Sequence, residues 1–154
     1  MVAPTIALGQ IEVRANSPER NLESMLAMIE KAKQEGAQVI AFPEQSVMGY
    51  LVGDRWTEDA FCREAMSFNS VLAQASRGIA VVYGNIFVDD HINSRTGDDA
   101  FHPNKDGRSR KYNAAYVFQN GEPAKRNHET NYLPIGVQPK TLLPNYRVFD
   151  DERY

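Results

Sequence analysis

Cysteine is almost missing from these 154 residues: Cys62 stands alone. A single thiol cannot form an internal disulfide. That excludes disulfide-stapled scaffolds, cysteine-zinc modules and cluster-binding ferredoxins, and it suits a reducing cytoplasm. No apolar run approaches the roughly 20 residues of a membrane span, so no membrane partner is expected. The opening Met1-Val2-Ala3-Pro4 lacks the basic-then-apolar layout of a signal peptide. An excess of positive charge is absent too. Seventeen basic residues face twenty acidic ones, for a formal charge of -3, which does not point to nucleic acid as a partner. There is no internal repeat, no low-complexity tract and no Gly-x-Ser-x-Gly elbow, so a serine triad has little support.

What is present is the patterning of one α/β domain, or of part of a larger one. Thr5 to Val13 mixes β-branched residues with partial alternation and reads as a buried strand. Asn16-Ser17-Pro18-Glu19 signals a helix start, with Ser17 as cap and Pro18 in the first turn. Leu22, Met25, Leu26, Ile29 and Ala32 then make an apolar stripe, and Gly36 ends the helix. Ala37 to Phe42 is a short apolar strand stopped by Pro43. This strand–helix–strand order favours parallel pairing. A second helix is predicted from Thr57 to Ser76, with Phe61, Ala65, Phe68 and Leu72 as its stripe. Ile79 to Phe87 reads as a buried strand, Asp89 to Arg110 as a long polar loop and Tyr112 to Gln119 as a strand. Asn120-Gly121 is a hairpin signal, with a return strand over about 123–128. The remainder, with three prolines, shows no clear period.

Few residues stand out as chemistry by position alone. Glu44, in Phe42-Pro43-Glu44, lies just past the C-terminal end of a strand, the edge where open α/β sheets build their sites. Read singly, it is more often a solvated loop residue, and Lys140 is a surface lysine with a snorkelling stem. His91 and His102, with Asp89, Asp90, Asp98 and Asp99, fit no defined metal spacing. Lys105, Arg108, Arg110 and Lys111 form a small basic cluster offset by nearby aspartates. Both groups read as solvated loop.

Taken in order, five blocks are far more specific: Ile6-Ala7-Leu8-Gly9-Gln10, Val39-Ile40-Ala41-Phe42-Pro43-Glu44, Gly49-Tyr50, Lys140-Thr141-Leu142-Leu143-Pro144-Asn145-Tyr146, and Phe149-Asp150-Asp151-Glu152-Arg153-Tyr154. They closely resemble the nitrilase (carbon–nitrogen hydrolase) superfamily, and the last two resemble the glutaminase domain of glutamine-dependent NAD synthetases. The resemblance implies a nitrilase-type α-β-β-α sandwich of which residues 1–154 form the N-terminal portion. It implies a Glu–Lys–Cys triad, with Glu44 as general base and then acid and Lys140 stabilising the oxyanion. Tyr146 and Tyr50 are the implied substrate-binding residues. The substrate implied is glutamine, and the full-length family implies a homo-oligomer. No metal or cofactor is expected for the amidase part; ATP and magnesium belong to a separate synthetase domain. Its Ser-Gly-Gly-x-Asp-Ser loop does not occur in this sequence.

The departures shape the expectation. The family's cysteine follows the lysine, whereas Cys62 precedes Lys140 and falls on a predicted helix. The sequence therefore reads as a fragment ending before the nucleophile, inactive alone, with Cys62 an inert buried thiol. Gln45-Ser46-Val47-Met48 replaces a stretch in which relatives more often carry cysteine, altering the pocket wall, and Asp151 replaces a more common Glu. Two alternatives stay open: another nitrilase-type amidase, and a non-catalytic binding or interaction module.

Overall fold

The computed structural model describes residues 3–89, 109–125 and 134–144. Its elements are β1 (Ile6–Leu8), α1 (Pro18–Gln34), β2 (Val39–Ala41), a 3-10 turn (Gly53–Thr57), α2 (Asp59–Ser67), α3 (Asn69–Ala75), β3 (Ala80–Asp89), β4 (Arg110–Gln119), β5 (Glu122–Pro123) and β6 (Val137–Pro139). They form a six-stranded sheet in the order β1-β2-β3-β4-β5, with β6 pairing with β4 as well. β1–β2 and β2–β3 are parallel. β4 runs antiparallel to β3 and to β6, so β6 points the same way as β2. That direction matters, because Glu44 and Lys140 each follow the C-terminal end of one of these two strands.

The core forms where α1 and α3 cover one face of the sheet. Met25, Ile29 and Ala32 of α1 and Leu72 of α3 pack on Ile40, Val81, Tyr83, Tyr116 and Phe118. The α1 stripe differs from the predicted one. Asn21 is buried, while Leu22 is only partly so. The reason is hydrogen bonding: Asn21 Nδ2 donates to the carbonyls of Arg14 and Val47, and its Oδ1 accepts from Arg14 N. One amide thus ties the helix start to two loops, satisfying their buried backbone groups. Ser17 does hold the N-cap position, but its hydroxyl makes no capping bond and donates instead to the Ala15 carbonyl. Gly36, at φ +77°, ends the helix as predicted.

Other expectations need correction. The first strand covers only Ile6–Leu8, and it is an edge strand with Ile6 and Leu8 exposed, not a buried one. The single helix predicted over 57–76 is two elements, α2 and α3, broken at Phe68 and preceded by the 3-10 turn. Ser67, Asn69 and Ser70 surround that break, and such side chains compete with helical backbone bonding. Asn69 uses the break to turn its Oδ1 toward the sheet, where it accepts from Tyr83 Oη and Asn85 Nδ2. The Asn120-Gly121 hairpin is present, both residues having positive φ between paired Gln119 and Glu122. Its return strand, however, is only Glu122–Pro123. β6 escaped prediction because three residues, Val137-Gln138-Pro139, carry no period. The candidate ligands His91, His102, Asp90, Asp98 and Asp99 lie outside the described residues.

Candidate functional site

β2 ends at Ala41, and from Pro43 the chain turns back through residues 43–46 against β3. Phe42 N–H donates to the Val82 carbonyl, Gly84 N–H to that of Pro43 and Ser46 N–H to that of Gly84. Gly84 is required by proximity: a β-carbon there would stand 2.5 Å from Gln45 N and 2.6 Å from Glu44 Cα. Ser46 Oγ also donates to the Pro43 carbonyl. The turn is therefore clamped to β3 from both sides, and Glu44 projects from it.

Lys140 arrives from the other direction. β6 lies along β4, and Lys140 N–H extends the ladder by donating to the Asn113 carbonyl at 2.8 Å. The two charged ends meet there. Lys140 Nζ donates to Glu44 Oε1 at 2.9 Å, across 96 positions of sequence. Asn113 Nδ2 donates to the same carboxylate oxygen, and Gln45 Nε2 donates to Asn113 Oδ1 at 2.9 Å. Along β4, Asn113 alternates with Tyr112 and Ala114, which pack toward the helices, so its side chain leaves the opposite face. A groove of about 570 Å³ opens on that face, lined by Phe42, Glu44, Gly84, Asn113 and Lys140 among others.

The ion pair is not built for stability. The Glu44 side chain is 48% exposed and that of Lys140 29%, and a pair so wet contributes at most about 1 kcal/mol. Holding two charged groups at the open end of parallel-running strands is better understood as presenting them to a ligand.

The structure thus brings Glu44 and Lys140 together as the sequence suggested. Tyr146 lies outside the described residues. Tyr50 is half-buried, and its carbonyl accepts the Trp56 indole N–H; it does not line the groove. Cys62 sits away from the groove in a second apolar cluster with Met48, Trp56, Phe61, Ala65, Ile86 and Val88. Burial pushes its thiol up to about 11, and Sγ donates to the Trp56 carbonyl. The thiol is buried, as expected, and a raised value disfavours the reactive thiolate. Sequence reasoning missed Asn113 and Gly84, and named Gln45 only as part of an altered pocket wall. The only available signals were a polar residue and a glycine interrupting otherwise apolar strands. Among the described residues no cluster of His, Cys, Asp and Glu could hold a metal ion, and no helix is long and apolar enough to cross a membrane.

Known proteins similar to this chain share one family. The chain is 29% identical over 149 residues to the glutamine-dependent NAD(+) synthetase of Thermotoga maritima, covering 97% of this chain and 21% of that protein. The similar enzyme of Xylella fastidiosa is 31% identical over 150 residues, 97% of this chain and 22% of its own length. The chain therefore spans about a fifth of the curated relatives it matches. The solved glutamine-dependent NAD+ synthetase of Acinetobacter baumannii superposes with a TM-score of 0.72 at 27% identity, over 100% of this chain and 24% of that one. The carbon–nitrogen hydrolase family model matches residues 5–150, from β1 through both ends of the Glu44–Lys140 pair, and the chain belongs to that family.

Proposed function

We propose that this chain is the N-terminal portion of the glutaminase domain of a glutamine-dependent NAD synthetase, with Glu44 and Lys140 as its catalytic residues. The observation that carries this is the 2.9 Å Glu44–Lys140 contact at the mouth of the groove, in a chain similar throughout to such synthetases. Glutamine is the substrate. Its carboxamide sits beside Lys140, whose ammonium stabilises the negative charge that builds on oxygen when the carbonyl carbon is attacked. The attacking group is a cysteine thiol supplied by sequence C-terminal to Lys140 in the longer protein. Glu44 takes the thiol proton and hands it to the departing ammonia. It then takes a proton from the water that cleaves the thioester, releasing glutamate. Glu44 Oε1 already accepts from Lys140 and Asn113, so Oε2 is the oxygen that carries the proton.

This part of the reaction needs no cofactor. The ATP and magnesium of NAD synthesis belong to a separate domain that consumes the ammonia. Tyr146 is the proposed substrate-binding side chain, while Tyr50, set away from the groove, is not one; the full-length protein is a homo-oligomer, and its compartment is the cytoplasm. The test is ammonia release from glutamine by the full-length protein containing this chain. Glu44→Gln and Lys140→Ala should each abolish it. Wild-type rates in both variants would overturn the reading. A folded full-length protein that binds a partner but never hydrolyses an amide would select the non-catalytic alternative.

A further inference from the structure

Glu44 is held by more than its lysine. Its Oε1 also accepts from the Asn113 side chain, and the Asn113 backbone carbonyl accepts from Lys140 N–H. One residue of β4 therefore touches both members of the pair, through its side chain on one and its main chain on the other. Asn113 is in turn oriented by Gln45, whose Nε2 donates to Asn113 Oδ1. The carboxylate sets the polarity of this relay. It accepts only, so Asn113 must present its NH₂ to Glu44 and its oxygen to Gln45.

Gln45 occupies its position at a cost. Its backbone is left-handed, with φ +49°, a region unfavourable for a residue with a side chain. Its side chain is buried, and its Oε1 has no hydrogen-bond partner, which is unfavourable for a buried acceptor. The one hydrogen bond its side chain makes goes to Asn113. The turn bonds from Gly49 N–H to the Gln45 carbonyl and from Ser46 N–H to that of Gly84 hold this backbone, and an unfavourable local geometry retained beside a reactive group is how preorganised sites are built.

We propose that Asn113 is a positioning residue that aims the Glu44 carboxylate, with Gln45 as its brace. Asn113 fixes Oε1 so that Oε2 faces the reacting atoms, and it keeps Glu44 and Lys140 in register across the β4–β6 junction. The inference rests on the hydrolase reading of Glu44 given above.

The experiment compares three variants of the full-length protein by glutamine hydrolysis and thermal unfolding. Asn113→Leu, branched like asparagine though larger and unable to donate, should lower kcat about tenfold to a hundredfold, the scale of a small misplacement of a catalytic group. KM should stay within about twofold, because glutamine binding does not use the relay. Gln45→Met should lower kcat by a smaller factor while leaving Tm unchanged or higher, since it removes the buried unpaired oxygen. A merely structural role predicts the reverse, a fall in Tm with kcat preserved. Glu44→Gln separates the two levels. Full activity there overturns the hydrolase reading and this inference with it. An inactive Glu44→Gln beside a normal kcat in Asn113→Leu overturns this inference alone.

Discussion

Gly84 and Glu44 meet backbone to backbone, so closely that β3 tolerates no side chain where the Glu44 turn crosses it. This contact, and not the short β2 strand, determines how far Glu44 reaches into the groove. Gly84→Ala should therefore act in two ways. The new methyl group must push the turn away from β3, which overpacking data place at about 1–3 kcal/mol of lost stability. It should also move Glu44 off Lys140, so glutamine hydrolysis by the full-length protein should fall by more than the loss of folded protein explains. Denaturant unfolding alongside kcat measures both. An alanine variant with wild-type kcat would show that the close approach does not position Glu44.

The Glu44–Lys140 pair should matter for chemistry and hardly at all for folding. Both side chains are substantially exposed, so Glu44→Gln and Lys140→Ala should each change stability by no more than about 1 kcal/mol while abolishing hydrolysis. Equilibrium unfolding curves of the two variants should overlie that of the wild type. A large shift in either curve would mean that the pair is a structural strut.

Cys62 should be chemically silent. It is fully buried, and burial holds its thiol at about 11, far above the pH of ordinary labelling, so almost no thiolate is present to react. A thiol reagent at neutral pH should modify the native chain slowly and the denatured chain at once. Prompt stoichiometric labelling that glutamine blocks would instead identify Cys62 as a nucleophile near the groove.

A second ion pair behaves differently from the first. The Lys111 side chain is only 2% exposed and lies 2.6 Å from Asp59. Burial raises the Asp59 carboxyl, but hydrogen bonds from Lys111 and Ser109 outweigh it and hold the group below the usual carboxylate range. A carboxyl lowered in the folded state contributes stability above its unfolded value of about 3.9 and loses it as pH falls through the folded value. Wild-type stability should therefore drop below about pH 4, and Asp59→Asn should show less of that dependence. At neutral pH Asp59→Asn leaves a buried ammonium unpaired, at a cost on the order of 3 kcal/mol. Lys111→Met should cost less. Urea unfolding at several pH values checks the sign.

The isolated 154-residue chain should not hydrolyse glutamine measurably. Loss of the nucleophile alone typically removes about a million-fold in turnover from a covalent mechanism, and the only cysteine present is the buried Cys62. Ammonia release from glutamine by this purified chain at an enzymatic rate would overturn the assignment of roles.

Much of the architecture was legible in order and type. The α1 start at Pro18, its end at Gly36, the strand running to Ala41 and the Asn120-Gly121 turn all follow from residues whose backbone preferences act locally. The five motif blocks, read together, also pointed to Glu44 and Lys140 before any distance was known. Local rules failed where a long-range partner decided the outcome. Asn21 took a core position because two distant carbonyls needed its amide. The 57–76 helix broke at Phe68, placing the Asn69 amide against Tyr83 and Asn85 on the sheet. β6 exists because β4 offers it an edge.

The same division runs through the site. Residue identity supplies the chemistry: a carboxylate to move protons and an ammonium to meet negative charge. Nothing in the local pattern around Asn113 marks it as part of that site, because a polar residue in a strand is ordinary until something stands opposite it. Only the pairing of β4 with β6, together with the clamp of the Glu44 turn on Gly84, sets Asn113 between the two charges. Hydrogen bonds across 69 and 68 positions, from Asn113 to Glu44 and from Gln45 to Asn113, depend on strand register, and register is a property of the folded sheet.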